Sequence, residues 1–275
     1  MAHVSSERIR PAAVAGLFYS RDPDELAQML DAMLDAAAQS QPVTAIPKAI
    51  IAPHAGYVYS GPIAASVYAR LKPARARIRR VVLLGPTHRV AVRGLALPDS
   101  DAFDTPLGTV PLDAESVARL RTLPHVTVSS SAHALEHSLE VHLPFLQSVL
   151  DSFTLVPLAV GHAEADQVAQ VLEALWGGPE TLIVVSSDLS HYRSYHEAQA
   201  IDQRTTDDIL RLATDITHEQ ACGATPMTGL NLAAQRRGLR PQLLDLRNSG
   251  DTAGDRKRVF GYGACAFFEK GRDER

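Results

Sequence analysis

Cysteine is scarce in this chain, which contains only Cys222 and Cys265 among 275 residues. One pair of cysteines cannot build the dense disulfide framework of small secreted domains. No apolar run approaches the roughly 20 residues that span a bilayer. The N-terminal stretch 1–20 also lacks the sustained apolar region of a secretory signal. We therefore expect a cytoplasmic protein without a membrane segment, in which both thiols are reduced.

Positive charge is not in excess, because 27 lysines and arginines face 31 aspartates and glutamates, which gives a formal net charge of −4. This balance gives no electrostatic reason to expect a nucleic-acid partner. The hydrophobic fraction of 45% and the charged fraction of 21% are ordinary for a globular protein. At this length we expect one domain that spans residues 1–275.

Several standard functional motifs are missing. The sequence has no GxxxxGK[ST] phosphate loop, no GxGxxG after a strand, no GxSxG nucleophile elbow and no CxxC pair. The sequence therefore contains no motif that would indicate a phosphate-binding loop or a serine hydrolase.

Short apolar, β-branched runs recur along the chain and predict buried strands. These runs are residues 48–53, 79–86, 153–160, 181–187, 242–246 and 259–268. Stretches with helical spacing lie between them and begin at Asp24, Gly61, Ala163, Tyr195 and Thr228. Strands that alternate with helices predict a three-layer α/β/α sandwich around a largely parallel or mixed sheet. The turn-rich segment 98–111 is either a loop over a site or a surface excursion.

Histidines follow three of the predicted strands, close to where each apolar run ends. His54 follows IIAP, His88 follows VVLLGP after one threonine, and His191 lies with Asp188 in SSDLSHY after LIVV. Ligands of open α/β sheets bind beyond the carboxyl ends of the strands, so these side chains are expected to meet there. One such histidine is more often a buried, hydrogen-bonded residue. Three at one sheet edge favour a metal site.

The two cysteines have different sequence contexts. Cys265 lies inside the last predicted strand and is expected to be an ordinary buried thiol. Cys222 lies in HEQACGATPMTG, in a loop before a predicted helix, where a thiolate could bind metal or attack an electrophile. The alternative for Cys222 is a small buried residue without a chemical role.

The segment 133–145, HALEHSLEVHLPF, is the part of the chain richest in histidine. It contains no HExxH motif. On a helix, His142 would lie about 140° around the axis from His137, so a zincin-type site is not indicated. His137, Glu140 and His142 either support the metal ligands or contact substrate, or they form one polar face of a helix that lines a cleft.

Five stretches together resemble the Memo family, whose bacterial and archaeal members are labelled AmmeMemoRadiSam system protein B. They are PHAGYVYSG, LGPTHRV, EHSLEVHLPF, VVSSDLSHY and ACGATPMTGLNLAA. The resemblance extends from AVAGLFYSRDPDEL to GYGACAFF and so covers nearly the whole chain. Their combination is specific, although no single stretch is. The resemblance implies the fold of class III extradiol dioxygenases, a three-layer α/β sandwich with a non-haem iron at one sheet edge.

The resemblance also implies roles for individual residues. His54 and His88 match the family's two metal-binding histidines, and Cys222 matches the cysteine that stands where the dioxygenases have a carboxylate ligand. His191 matches the site histidine that resembles the dioxygenase acid/base, and Asp188 accompanies it. The early segment reads GLFYS where members commonly have a serine or similar residue before the aromatic and a proline after the tyrosine. This departure concerns the entrance of the site more than its centre.

Three functions are compatible with these residues. Two imidazoles and a thiolate accept Fe(II), Cu or Zn, with Fe(II) favoured for a redox-active, dioxygenase-like site. In that site His191 is expected to move protons, and Asp188 is expected to fix the tautomer or orientation of His191. Such a site would act on an unknown small molecule or peptide, and the resemblance implies a radical SAM partner protein. The second function is a zinc-dependent hydrolase with His191 or Glu140 as base. The third is a non-catalytic module that retains the cleft to bind a peptide or protein.

Overall fold

The computed structural model describes residues 8–40 and 45–269. Residues 1–7, on which the expectation of no secretory signal partly rests, lie outside the described residues. The strands are β1 (Ile9–Arg10), β2 (Ala49–Ala52), β3 (Arg80–Pro86), β4 (Leu95–Leu97), β5 (Ala102–Phe103), β6 (Val110–Pro111), β7 (Val126–Val128), β8 (Thr154–Val160), β9 (Thr181–Ser186), β10 (His191–Arg193), β11 (Arg240–Asn248) and β12 (Val259–Phe268).

The α-helices are α1 (Pro23–Ser40), α2 (Tyr57–Tyr68), α3 (Ala114–Leu120), α4 (Ser130–Ala134), α5 (Leu143–Val149), α6 (Ala165–Leu175), α7 (Tyr195–Leu210) and α8 (Ala224–Arg237). Short 3-10 segments are Ala69–Ala74, Glu140–His142 and Ser249–Asp251. No helix in the described part of the chain is both long enough and apolar enough to cross a membrane.

Nine of the described strands form one mixed sheet in the order β10-β12-β2-β9-β3-β8-β4-β7, with β11 paired to β12. The central strands β2, β9, β3 and β8 run parallel, whereas β12 is antiparallel to both β2 and β11. One apolar cluster on the sheet includes residues of α1, α2 and α5, and a second includes residues of α3, α6 and α8. These layers confirm the expected α/β sandwich with a mixed central sheet.

The central strands are apolar on both faces because both faces are covered. In β3, Val81 and Leu83 belong to the first apolar cluster, while Val82 and Leu84 belong to the second. Side chains of a strand alternate between the two faces of the sheet, so an uninterrupted apolar run is what a doubly covered strand requires. This is why the sequence predicted these strands well.

Two helices begin earlier than the sequence indicated. The spacing placed their starts at Gly61 and Thr228, whereas α2 begins at Tyr57 and α8 begins at Ala224. Pro226 therefore lies in the first turn of α8, where a missing backbone N–H breaks no helical hydrogen bond. Apolar spacing failed at these starts because neither α2 nor α8 separates its apolar and polar residues clearly onto opposite sides of the helix.

The turn-rich segment 98–111 forms a small sheet. It contributes β5 and β6, which pair with each other, and β5 also pairs in parallel with β1. The segment therefore joins the start of the described chain to the main body.

The functional edge of the main sheet follows from its parallel strands. β2, β3 and β9 are parallel, so their carboxyl ends lie at the same edge. His54 follows β2, His88 follows β3, and Asp188 follows β9, each two residues after the strand ends. The fold therefore brings together side chains that are far apart in the sequence.

Candidate metal centre

His54, His88 and Cys222 converge at this edge. One ligand atom of each residue lies within 4.8 Å of the ligand atoms of the other two. Sγ of Cys222 is 3.3 Å from Nε2 of His54. The ring centroids of His54 and His88 are 5.2 Å apart. Two imidazoles and one thiol therefore face a common point.

Hydrogen bonds fix which nitrogen of His54 faces the thiol. The hydroxyl of Ser186 donates to the carbonyl oxygen of Ser138 at 2.6 Å, so its oxygen accepts from Nδ1–H of His54, also at 2.6 Å. Nε2 then carries the lone pair on the side of Cys222. Burial lowers the pKa of His54 well below its usual value, so the ring is neutral, as a metal ligand must be.

Glu136 orients the second imidazole. Its Oε1 accepts from Nδ1 of His88 at 2.9 Å, and its Oε2 accepts from the backbone N–H of His88 at 2.6 Å. Burial raises the pKa of Glu136. The hydrogen bonds that Glu136 accepts, mainly from His88, lower this pKa by more than burial raises it, to about 2. An ionised carboxylate only accepts, so Nδ1 of His88 carries the proton and Nε2 is free to bind a metal.

Cys222 is held against the end of β9 by the backbone. Its N–H donates to the carbonyl oxygen of Asp188 at 3.2 Å, and the N–H of Gly223 donates to the hydroxyl of Ser187 at 2.9 Å. A Cβ at Gly223 would lie 2.6 Å from the carbonyl oxygen of Ser186. Only glycine therefore lets the backbone at residue 223 come so close to the end of β9. Burial raises the pKa of Cys222 to about 12, so its thiol keeps its proton at neutral pH until a metal displaces it.

The donor set fits a transition metal. His54 and His88 each use Nδ1 for a hydrogen bond and leave Nε2 towards the common point. Two imidazole nitrogens and one soft sulfur suit iron, copper or zinc better than magnesium or calcium, which prefer oxygen ligands. The assignment of these three residues as metal ligands stays a prediction.

His191 faces the same cavity as the three donors. Its Nδ1 donates to the carbonyl oxygen of Leu189 at 2.7 Å, which leaves Nε2 without a partner among the described residues. Burial lowers the pKa of His191. A neutral imidazole with a free Nε2 is suited to accept a proton from a bound molecule.

Asp188 supports His54 and does not orient His191 as the sequence suggested. Its Oδ1 accepts from the backbone N–H of His54 at 2.7 Å. Burial raises the pKa of Asp188 to about 7. Within the described ranges no hydrogen bond joins Asp188 to His191, whose tautomer is set by the carbonyl of Leu189. Asp188 therefore helps to position His54, a proposed metal ligand.

The segment 133–145 is not one continuous helix, so its polar residues separate. His137 lies outside the 3-10 segment Glu140–His142, lines the cavity and stacks on His88 with ring centroids 4.6 Å apart. His142 is buried with Nδ1 at 2.8 Å from the hydroxyl of Tyr68, and its Nε2 has no partner among the described residues. His137 is therefore placed for substrate contact, while His142 does not line the cavity.

Glu140 is fully buried and bound to the N-terminal part of the chain. It pairs with Arg10, and it accepts from the backbone N–H groups of Ala13 and Val14 at 2.8 and 2.9 Å. The hydroxyl of Tyr19 donates to it at 2.5 Å. Both oxygens are occupied, which leaves no position for substrate contact or for a general base.

Arg10 fastens the segment that carries Glu136. Besides its ion pair with Glu140, it donates to the carbonyl oxygens of His133 at 2.9 Å and of Glu136 at 2.8 Å. Sequence patterns missed Arg10, Glu136 and Ser186. Glu136 directly precedes a candidate histidine, but nothing in the sequence pairs it with His88, since that contact depends on the tertiary fold.

A cavity of about 450 Å³ opens beside the three donors, a size typical of small-molecule sites. No residue of the segment 98–111 is among the described residues that line it, so that segment is not a loop over this site. The lining residues are Phe18, His54, Ala55, Gly56, Tyr59, His88, His137, Asp188, His191, Ser249, Gly254, Asp255, Arg258, Phe260 and Tyr262.

Replacing Glu136 with glutamine should weaken metal binding. The amide keeps the shape of Glu136 but loses the charge that holds Nδ1–H of His88, so we expect about 10- to 100-fold lower affinity. Competition with a coloured chelator measures this change. Glu115→Gln, at an exposed position of α3, is the matched control. Equal affinities in Glu136→Gln and the wild type would contradict the role of Glu136.

Proteins of known families resemble this chain over most of its length. Residues 10–266 match the family of Memo-like proteins. A MEMO1 family protein of Aquifex aeolicus is 36% identical over 268 residues, covering 93% of this chain and 97% of its own. A MEMO1 family protein of Methanothermobacter thermautotrophicus is 34% identical over 281 residues, covering 92% and 98%. The crystal structure of an uncharacterized protein from Escherichia coli K12 aligns with a TM-score of 0.49 and 14% identity, covering 79% and 99%.

Proposed function

Since this chain belongs to the Memo family, we propose that it is a metalloprotein in which His54, His88 and Cys222 hold a non-haem iron. The observation that carries this proposal is the convergence of three donor atoms within 4.8 Å of one another. The hydrogen bonds to Nδ1 of both imidazoles support it, because they leave both Nε2 atoms unprotonated on the metal side. Copper and zinc fit the same donors.

The chemistry we propose is redox-active and dioxygenase-like. Fe(II) bound by these donors would supply electron-transfer chemistry and open coordination positions. His191 accepts or returns a proton at Nε2, since its Nδ1 is committed to the carbonyl of Leu189. His137 packs on His88 and forms a wall of the cavity into which the substrate binds. Asp188 fixes the backbone of His54.

The substrate and partner remain part of the proposal. We propose that the cavity binds a small molecule or a peptide. On the strength of the family resemblance, we also propose a radical SAM enzyme as a partner. We place the protein in the cytoplasm, where a reducing environment keeps the thiol of Cys222 available for metal binding.

Metal analysis of protein purified anaerobically without a histidine tag tests this function. We expect about one iron per chain, because the proposed ligands His54, His88 and Cys222 form one site. Stoichiometric zinc instead would contradict the redox assignment and favour a hydrolase with His191 as the base, since Glu140 has no free oxygen. Folded protein that takes up no metal would contradict a metal-dependent function altogether and favour the binding module.

His191→Gln separates the proton-transfer role from metal binding. His191 lies at the same sheet edge but is not one of the three converging donors. We therefore expect unchanged metal content in this variant, together with proton-dependent turnover about 100- to 10,000-fold lower once a substrate is known. Atomic absorption spectroscopy measures the first part now. Loss of metal from His191→Gln would show that this imidazole is a ligand and would overturn the role given to it.

A further inference from the structure

Besides His54 and His88, the residues that line the cavity include five that we call the aromatic wall. Arg258 precedes β12, and Phe260 and Tyr262 belong to it, while Phe18 and Tyr59 come from elsewhere in the chain. Four of these five side chains are aromatic. This wall therefore offers an apolar surface with one positive charge to whatever enters the cavity.

Arg258 is the only lysine or arginine among the described residues that line the cavity. Its guanidinium carbon lies 5.0 Å from the ring centroid of Tyr192, and the described residues give it no carboxylate partner. Asp255 also lines the cavity; its Oδ1 accepts from the backbone N–H of Lys257 at 2.8 Å, and no ion pair joins Asp255 to Arg258 among the described residues. Asp188 is occupied by the backbone of His54. The charge of Arg258 is therefore available to a ligand.

Tyr192 has an unusual backbone that places Arg258. Its φ is 57°, in the left-handed region that a bulky side chain rarely adopts. The register of the β10–β12 pairing shifts at the same point, between His191 and Arg193. The ring of Tyr192 then packs on Phe260, with centroids 4.7 Å apart, and contacts the guanidinium of Arg258. One irregular turn thus positions both His191 and Arg258 at the cavity.

We propose that Arg258 binds the carboxylate of a small organic acid whose apolar body packs on the aromatic wall of the cavity. This proposal rests on the proposed function and names the substrate class of the same site. A planar guanidinium pairs with a carboxylate through two parallel hydrogen bonds. One cation balances one carboxylate, whereas a doubly charged phosphate would need a second cation, which the described lining does not provide.

Three ligands with the same ring test this proposal on the full chain. They are benzoate, benzamide and phenyl phosphate, and ligand-observed NMR measures their binding to protein as purified anaerobically. We expect benzoate to bind more tightly than benzamide, and Arg258→Gln to weaken benzoate by about 10- to 100-fold, the loss of a charge-assisted contact. Benzamide binding should change less than about twofold, since it makes no ionic contact.

Lys257→Gln is the matched control, because it removes the same charge from the same loop at a residue that does not line the cavity. It should leave benzoate binding within about twofold of the wild type, as expected for an exposed charge. Equal benzoate binding by Arg258→Gln and the wild type would overturn the proposal. Tighter binding of phenyl phosphate than of benzoate, or no saturable binding of benzoate, would also overturn it.

The same titration on chelated protein separates this proposal from the proposed function. Benzoate binding that persists after chelation and falls in Arg258→Gln supports the carboxylate site, whatever metal the three donors hold. Benzoate binding that is lost on chelation and unchanged in Arg258→Gln means that the metal itself takes the carboxylate, which overturns the role of Arg258. Metal content should be the same in Arg258→Gln and the wild type.

Discussion

His54→Ala and His88→Ala should each abolish stoichiometric metal binding while the protein stays folded. Each removes one of three converging donors, and the two that remain cannot hold a transition metal tightly in water. The fold should persist because Asp188 holds the backbone N–H of His54, which alanine retains. Atomic absorption spectroscopy gives the metal content, and circular dichroism gives the fold. Unchanged metal in both variants would overturn the centre.

Cys222→Ser sharpens the same test, since it replaces one sulfur by oxygen with little change in size. A serine hydroxyl does not ionise as a thiol does when metal binds, so we expect metal binding to be lost here too. Cys265→Ala is the matched control. Cys265 is fully buried in β12 and takes no part in the group of donors, so its removal should leave the metal content unchanged. Metal retained in Cys222→Ser would contradict the assignment of Cys222 as a ligand.

Arg10→Met should lower the free energy of unfolding by about 3–5 kcal/mol, the cost of leaving a buried charge without its partner. The carboxylate of Glu140 is fully buried and loses its counter-ion. The carbonyl oxygens of His133 and Glu136 lose their donor in the same step. Metal affinity should also fall, because Glu136 holds His88. Urea unfolding measures the stability, and chelator competition measures the affinity.

Arg8→Met is the matched control for Arg10→Met. Arg8 lies two residues earlier and pairs with Asp99, but both side chains are about half exposed. Exposed ion pairs contribute little, so the urea midpoint should hardly move. The double variant Arg10→Met with Glu140→Gln should recover part of the lost stability, since it also removes the buried charge. Equal unfolding energies in Arg10→Met and the wild type would contradict the role of this ion pair.

The sequence predicted the strands and the functional edge for a clear physical reason. The last strand has the predicted bounds, Val259–Phe268, because an apolar run covered on both faces is visible without knowledge of its neighbours. His54 and His88 were predicted to meet because parallel strands end at one edge, and the structure places their ring centroids 5.2 Å apart. Both inferences rest on local pattern and on a general rule of sheet topology.

The partners of these side chains could not be predicted in the same way. Glu136 binds His88, and Ser186 binds His54, across long stretches of chain. The expected contact between Asp188 and His191 is replaced by a bond from His191 to a backbone carbonyl. Such contacts depend on which loops lie close together after folding. The hydrophobic periodicity of the sequence contains no information about that.

The sequence by itself determined the α/β class, the positions of the central strands and the kinds of donor atoms at their ends. These depend on hydrophobic periodicity and residue chemistry, which are local properties of the chain. Only the tertiary structure decided that Nε2 of both His54 and His88 faces the common point with Cys222, and that Arg258 faces the same cavity. The physical reason is that tautomers, burial and free charges are set by hydrogen-bond partners brought together from distant parts of the chain.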